Sequence, residues 1–311
     1  MTVVELGELF NNEHAWWQPE AVWKSQWADL ESGGALLIDD TVNSKENTTR
    51  TEGAHPTYSG CAKRVVKGQT FLAALYVAPE GGVRLIWMEM WQPDGPGKLA
   101  LARQLVEHLL AAGIRPDEVS FDAWYADAAF LQWLSKQGLR WTTRMRKSRR
   151  FYFPSGTEQS LKEWGKQVPI SSCHFYRREG LYAKAVPVAN QEIWNAKVVL
   201  MRAAHRWTPE EEVYLLTNDR QATVRQVINR YRRRWKIEVA FRACKQSLGF
   251  SGYRHLTAIG AERHVALVGL LYNYLSGQAR ASGLTLGGLK RIVLNSMATN
   301  TLPYETLRMA A

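Results

Sequence analysis

Cysteine is scarce and unpaired in this chain. Cys61, Cys173 and Cys244 lie far apart with no CxxC spacing, which excludes a disulfide framework and a thiolate zinc site. The seven histidines show no ligand spacing either and read as structural. Acid is in deficit: 29 Asp and Glu face 40 Lys and Arg, for a formal charge of +11 and a pI near 9.6. That balance favours a polyanionic partner, nucleic acid before membrane. The most apolar late segment, VALVGLLYNYL (265–275), is too short to span a bilayer, so no membrane partner is expected. The first ten residues, MTVVELGELF, lack a basic n-region and carry Glu5 and Glu8, unlike a signal peptide. There is no internal repeat and no low-complexity tract. The reading is a soluble intracellular protein.

A hydrophobic fraction of 46% and thirteen tryptophans are ample for a packed core, and 311 residues suffice for one large domain with an insertion or for two domains. ALLID (35–39), after Gly33-Gly34, is a short continuous apolar run that suits a strand buried on both faces. TFLAALYVA (70–78) and VRLIWMEMW (83–91) read as strands joined by the turn signal PEGG. KLALARQLVEHLLAAG (98–113) has helical periodicity and ends at glycine. EVSFD (118–122) is the next strand, DAAFLQWLSKQG (127–138) a short helix, and LRWTTRMR (139–146) strand-like. Residues 147–212 are β-rich pieces broken by Pro, Gly and Asn, an insertion in a mixed α/β domain. VYLLTND (213–219) precedes a long helix, and the chain after Gly249 is helical.

That long helix contains YRRRWKIEVAFRACKQSLGF (231–250), where one carboxylate, Glu238, stands among six basic residues. At about 100° per residue, Tyr231, Arg234, Glu238 and Lys245 fall within an arc of about 60°. Ile237, Phe241, Cys244 and Leu248 form the adjacent apolar stripe. The helix therefore packs on the core beside a phenol, a guanidinium, a carboxylate and an ammonium. Glu238 as a plain i,i+4 partner of Arg234 or Arg242 is the simpler alternative.

Two further acids end buried runs: Asp39-Asp40 after ALLI and Asp122 after VSF. If those strands are parallel neighbours, both acids reach one edge of the sheet, where open α/β sheets place ligands. A run buried on both faces does not reveal whether Asp39 or Asp40 points inward. Asp122 competes with Asp127, which precedes AAFLQWL as a helix N-cap would. Two Asp and one Glu make a hard oxygen site suited to Mg²⁺ or Mn²⁺, and three carboxylates can hold two such ions. Arg140, Arg144, Arg146, Lys147, Arg149 and Arg150 form an acid-free cluster that suits a DNA-tracking surface, or a solvated basic face.

These residues resemble a known family. YRRRWKIEVAFRACK fits the Y-(2)-R-(3)-E-(6)-K signature of DDE transposases of the insertion-sequence-4-like group at Tyr231, Arg234, Glu238 and Lys245. LLIDDTVNSK looks like that group's first acidic motif, which places the first acid at Asp40. VSFDAWYADAAFL looks like its second, with Asp122. The likeness runs from about Leu36 to Leu275. It implies an α/β fold: an RNase H-like mixed sheet flanked by helices, with a β-rich insertion before the final catalytic helix. The implied layout is a short helical lead at 1–34, a core of 35–146 and 213–250, the insertion at 147–212, and a C-terminal helical region at 251–311.

The resemblance further implies a metal-dependent, cut-and-paste DNA transposase of a prokaryotic insertion sequence or transposon, active in the cytoplasm at the nucleoid. Asp40, Asp122 and Glu238 would be its catalytic and metal-binding triad, with two Mg²⁺ that Mn²⁺ replaces. Tyr231, Arg234 and Lys245, with Arg144 and Arg146, would contact double-stranded DNA at element ends and target. A homodimer on DNA is expected, with an additional DNA-recognising protein as an option. A DDE nuclease without strand transfer and a domesticated DNA-binding subunit are the alternatives.

Two features depart from the family's pattern. The aromatic of EVYLLTND, Tyr214, stands one position from where relatives that cleave through a DNA hairpin place theirs. Only 39 residues precede Asp40, so a complete DNA-reading domain is not expected there.

Overall fold

The computed structural model describes residues 17–298 except 49, 61 and 205–210. The chain forms two compact units: Met1–Ser32, Asp39–Ile114 and Lys236–Ala311 make one, and Gly33–Ile38 and Arg115–Trp235 the other. Strand β1 (Ala35–Ser44) runs from the second into the first.

In the second unit, Ala35–Ile38 of β1 pair in parallel with β5 (Glu118–Phe121), ending with Ile38 opposite Phe121. This is the parallel pairing expected from the sequence. β5 is parallel in turn to β6 (Arg140–Arg144). The sheet continues with antiparallel β12 (Val213–Thr217), β11 (Ala196–Ala203), β10 (Leu181–Val188) and β9 (His174–Tyr176). Much of the β-rich stretch thus extends the sheet beyond β12. It also holds a two-stranded pair, β7 (Arg150–Tyr152) with β8 (Glu158–Ser160), and a short helix, α4 (Leu161–Gln167), opened by a Ser160–Glu163 capping box. Helix α3 (Ala128–Lys136) packs near β6, and α5 (Val224–Arg233) is opened by a Thr223–Gln226 capping box. Val227 and Ile228 of α5 lie on a cluster of Leu181, Ala183, Val199 and Leu215, with Tyr231 at its margin.

Beneath α4 lies a buried ion pair. Arg202 Nη2 sits 2.7 Å from Glu212 Oε1, and the guanidinium also donates to the Gly165 and Val168 carbonyls. Tyr214, fully buried, donates to Glu212 Oε2 at 2.5 Å. The charges are compensated because these donors and acceptors find partners. Tyr214 is thereby locked inside the unit by its hydroxyl.

The first unit is built on β3 (Arg64–Val77), which lies beside β1 and pairs antiparallel with β2 (His55–Ser59) and β4 (Val83–Trp91). Leu72, Ala73, Ala74 and Leu75 of β3 are fully buried. Helices α1 (Pro19–Ser25), α2 (Lys98–Ala111), α6 (Trp235–Ser247) and α7 (Ala258–Ser282) belong to this unit, and α8 (Leu286–Ala298) follows. Trp23 of α1 packs so closely on Gly269 of α7 that a side chain there would overlap the indole. Among the described residues, no helix is long and apolar enough to cross a membrane.

Three elements differ from the sequence reading. β1 runs on to Ser44, so Asp39 and Asp40 lie within the strand instead of at its end. β2 and the first residues of β3 arise from polar stretches with little alternation, visible only through their pairing. The long helix divides at Arg234, whose amide bonds the Tyr231 carbonyl at 3.0 Å, an i,i+3 closure that tightens the turn between α5 and α6.

Two stability measurements test this packing. A Cβ on Gly165 would meet Glu212 Oε2 at 2.6 Å and overlap the Tyr214 hydroxyl. Gly165→Ala is therefore expected to lower unfolding stability by about 1–3 kcal/mol, and Gly165→Ala with Tyr214→Phe to recover part of that; no change on denaturant unfolding would refute the close approach. Glu262 of α7 accepts the Met90 amide at 3.1 Å, and burial, with the nearby Glu89 charge, pushes its carboxyl up to about 7 from the usual 4.5. The folded state then keeps a proton that the unfolded chain has lost, so stability falls as pH rises from about 4.5 through 7. Glu262→Gln should match the wild type near pH 5 and exceed it by about 1–3 kcal/mol near pH 8, read from urea midpoints at the two pH values.

Candidate active site

In the second unit, the chain leaves β5 at Phe121 and turns at once. Asp122 Oδ1 accepts the Trp124 amide at 2.8 Å, and its carbonyl accepts the Thr143 hydroxyl of β6 at 3.1 Å. These bonds fix the half-buried Asp122 at the C-terminal edge of the parallel strands. Its competitor Asp127 caps α3, accepting the Phe130 amide, as the sequence alternative foresaw.

Tyr231 and Arg234 come to the same place from the end of α5. The Arg234 guanidinium lies 5.6 Å from the Tyr231 ring centroid. Burial raises the pKa of the Tyr231 phenol; Arg234 and Arg144 oppose that rise, and Asp122 adds slightly to it. Arg234, Arg144 and Asp122 are thus each near enough to the Tyr231 phenol to act on it electrostatically. Three elements far apart in sequence bring them together.

In the first unit, Asp39 and Asp40 stand on adjacent positions of β1 and so on opposite sides of its pleat. Asp39 Oδ1 accepts the Asp40 amide at 2.9 Å. Asp40 Oδ2 receives the Lys98 ammonium at 2.9 Å, with both side chains largely shielded from solvent. Lys98 was not singled out from the sequence, although a signal existed. It is the first residue of α2, where a cation opposes the helix dipole, so a nearby carboxylate is needed to hold it. Lys245 of α6 donates to the Val42 carbonyl of β1 at 2.8 Å. Ile237, Ala240, Phe241 and Cys244 form the buried stripe of α6, with Glu238 and Lys245 half-buried beside it.

The basic cluster at 140–150 is only partly what its sequence promised. Arg140 pairs with Asp117, Arg149 with Glu192, and Arg150 with Glu158 and Glu163, acids that sequence proximity does not reveal. Arg144 and Arg146 are exposed and make no ion pair among the described residues. Tyr214, buried on Glu212, does not present its ring at a surface.

The carboxylates fit a hard divalent cation by donor type, with oxygen donors and no imidazole or thiolate. Among the described residues, however, no three His, Cys, Asp or Glu side chains are gathered into a preformed metal site.

An acid, a phenol and a guanidinium thus stand at one edge of the sheet. The chain belongs to the family described as transposase DDE domain, whose model matches residues 32–274. Its structure is similar to the cryo-EM structure of a piggyBac transposase synaptic complex with hairpin DNA, with a TM-score of 0.48, 12% sequence identity, and 90% of this chain covered. The match takes in 52% of that chain, so the present sequence spans about half its length. Comparison with curated protein sequences gives no match.

The Lys98–Asp40 pair can be measured directly. A double-mutant cycle of Lys98→Met and Asp40→Asn should give a coupling of about 1–2 kcal/mol in unfolding stability. Strict additivity would show that the pair contributes nothing.

Proposed function

We propose that this protein is a DNA transposase that cuts at the ends of a mobile element and joins the freed ends to target DNA. Family membership across residues 32–274 carries the reading, supported by the meeting of Asp122, Tyr231, Arg234 and Arg144 at the C-terminal edge of β5 and β6.

Asp40, Asp122 and Glu238 would hold the divalent ions, Mg²⁺ in the first instance. Bound there, such ions supply charge stabilisation for the attacking and leaving oxygens of a phosphodiester. The chain's own groups do the rest. Arg234, with its planar fork, and the exposed Arg144 and Arg146 neutralise phosphates flanking the cut. Tyr231, kept neutral by burial, offers a ring and a hydroxyl donor to the backbone. Lys245 ties α6 to β1 through Val42 and thereby sets the height of Glu238 along the helix. Cleavage by water leaves a 3′-hydroxyl, and in joining that hydroxyl displaces a 3′-oxygen of the target strand. A homodimer on DNA follows from the need to hold two ends. End-sequence recognition falls to the β-rich strands, to the C-terminal helices or to a second protein, because phosphate contacts carry little sequence information.

A second assignment of the first acid has its own support. The register ends with Ile38 opposite Phe121; the next residues in the chain are Asp39 and Asp122. Asp40 is meanwhile engaged by Lys98. Asp39 is therefore the rival ligand.

The test is cleavage of native element ends in Mg²⁺. Asp122→Asn and Glu238→Gln should fall to the protein-free background with DNA binding retained, since each amide keeps its shape and loses its charge. Asp40→Cys should lose activity in Mg²⁺ and recover part of it in Mn²⁺, whereas Asp39→Cys should not; the reverse pattern assigns Asp39. Cleavage without joining in a strand-transfer assay would make the protein a nuclease, and no cleavage by the wild type would favour a binding subunit.

A further inference from the structure

Away from these carboxylates, the first unit holds a second group of titratable side chains. Lys45, just beyond β1, is 8% exposed. Among the described residues its ammonium meets Tyr253: the carbonyl at 2.8 Å and the ring face at 3.6 Å. No carboxylate pairs with it among the described residues. Neighbouring acids in sequence are engaged elsewhere: Asp40 by Lys98, Glu46 by Arg64, and Glu52 by the Ala258 amide at the start of α7.

Two imidazoles stand on the same tyrosine. The His255 ring is stacked 5.8 Å from the Tyr253 ring, the His264 ring is 4.8 Å from it, and the two imidazoles are 6.0 Å apart. Both are only half-buried, and the exposed Arg254 lies between Tyr253 and His255 in the chain. A buried ammonium without a counter-charge is costly, and two protonatable rings at its rim add to the cost. A bound anion would remove it.

We propose that Lys45, His255 and His264 form an anion site that takes a backbone phosphate of DNA. It rests on DNA being the substrate, as proposed above, and lies outside the carboxylate motifs. Lys45 acts on both imidazoles and His264 on His255; Arg254 is exposed on the connecting loop, and Glu262 precedes His264 by two residues on α7. Burial, His264 and Lys45 together lower the pKa of His255; burial and Lys45 lower that of His264, against the opposing effect of its Nε2 bond to the Gly249 carbonyl at 3.0 Å. Glu262, raised to about 7, is uncharged in acid and does not offset them there. Both rings are thus neutral at alkaline pH and gain charge on acidification, so phosphate binding strengthens as pH falls.

The experiment uses the full chain and a labelled duplex of random sequence, with affinity read by anisotropy across a KCl series near pH 5.5 and pH 8. The wild type should bind several-fold tighter at the lower pH. His255→Gln with His264→Gln should lose most of that gain, and its salt slope at the lower pH should be shallower by about one phosphate contact, roughly 0.9 in log–log slope. Lys45→Met should weaken binding at both pH values; if it fails to fold, the histidine pair still decides. Inorganic phosphate at matched ionic strength separates the sources. Phosphate protection of the wild type against heat, with unchanged DNA binding by the histidine variant, would make this a free-phosphate site and overturn the proposal. Identical pH and salt dependence in variant and wild type would do the same. A wild type that binds no DNA would instead strike at the proposed function.

Discussion

The burial of Ala35–Ile38 and their parallel pairing with β5 is the constraint on which the rest depends. Leu36, Leu37 and Ile38 are fully shielded, as are Val119 and Phe121 opposite. Because side chains alternate and both faces are buried, slipping this register by one residue would exchange the groups on the two faces and misfit the packing on both. The cost of such a slip fixes where the strands end. Asp122 follows Phe121 directly, so its position comes from hydrophobic burial and needs no contribution from the acid itself.

Electrostatics then sorts a strongly basic chain into engaged and available charge. Arg202 is consumed by Glu212, Arg230 by Asp219 and Glu118, and Arg140, Arg149 and Arg150 by surface acids. The exposed pairs contribute little stability, but they neutralise guanidiniums that a composition count would assign to DNA. Arg144 and Arg146 at the end of β6 make no ion pair among the described residues, Arg234 lies against the Tyr231 ring, and the Lys45 ammonium sits on Tyr253. The +11 charge implies a polyanion; only the pairing pattern says which side chains are available to meet it.

Much was legible in the residues because it depends on short-range order. The buried run at 35–38, the hairpin at 70–91, the helices with glycine or aspartate at their ends and the apolar stripe of α6 follow from periodicities of two and 3.6 residues. Asp127 as a cap follows from the geometry of a helix start. The family was legible because Tyr231, Arg234, Glu238 and Lys245 keep the spacing of its signature, although Tyr231 falls on α5 and Glu238 and Lys245 on α6. The extension of β1 past Asp40 was not legible, since Thr41–Ser44 are held by neighbouring strands and not by their own pattern. The division at Arg234 was not either: a single i,i+3 closure leaves hydrophobic periodicity unchanged.

The sequence alone determined that this chain has a mixed α/β fold, that it carries three acids of hard-ligand type, and that it belongs to the transposase DDE domain family. These properties reside in residue identity and spacing, which folding cannot alter. The tertiary structure decided which charges meet. It set Lys98 on Asp40, Lys245 on the Val42 carbonyl, Tyr231 within electrostatic reach of Arg144 and Asp122, and Lys45 on a tyrosine with no acid paired to it among the described residues. Each of these pairings closes over a long stretch of chain, and Coulomb energy depends on distance through space, a quantity that no local pattern of residues encodes.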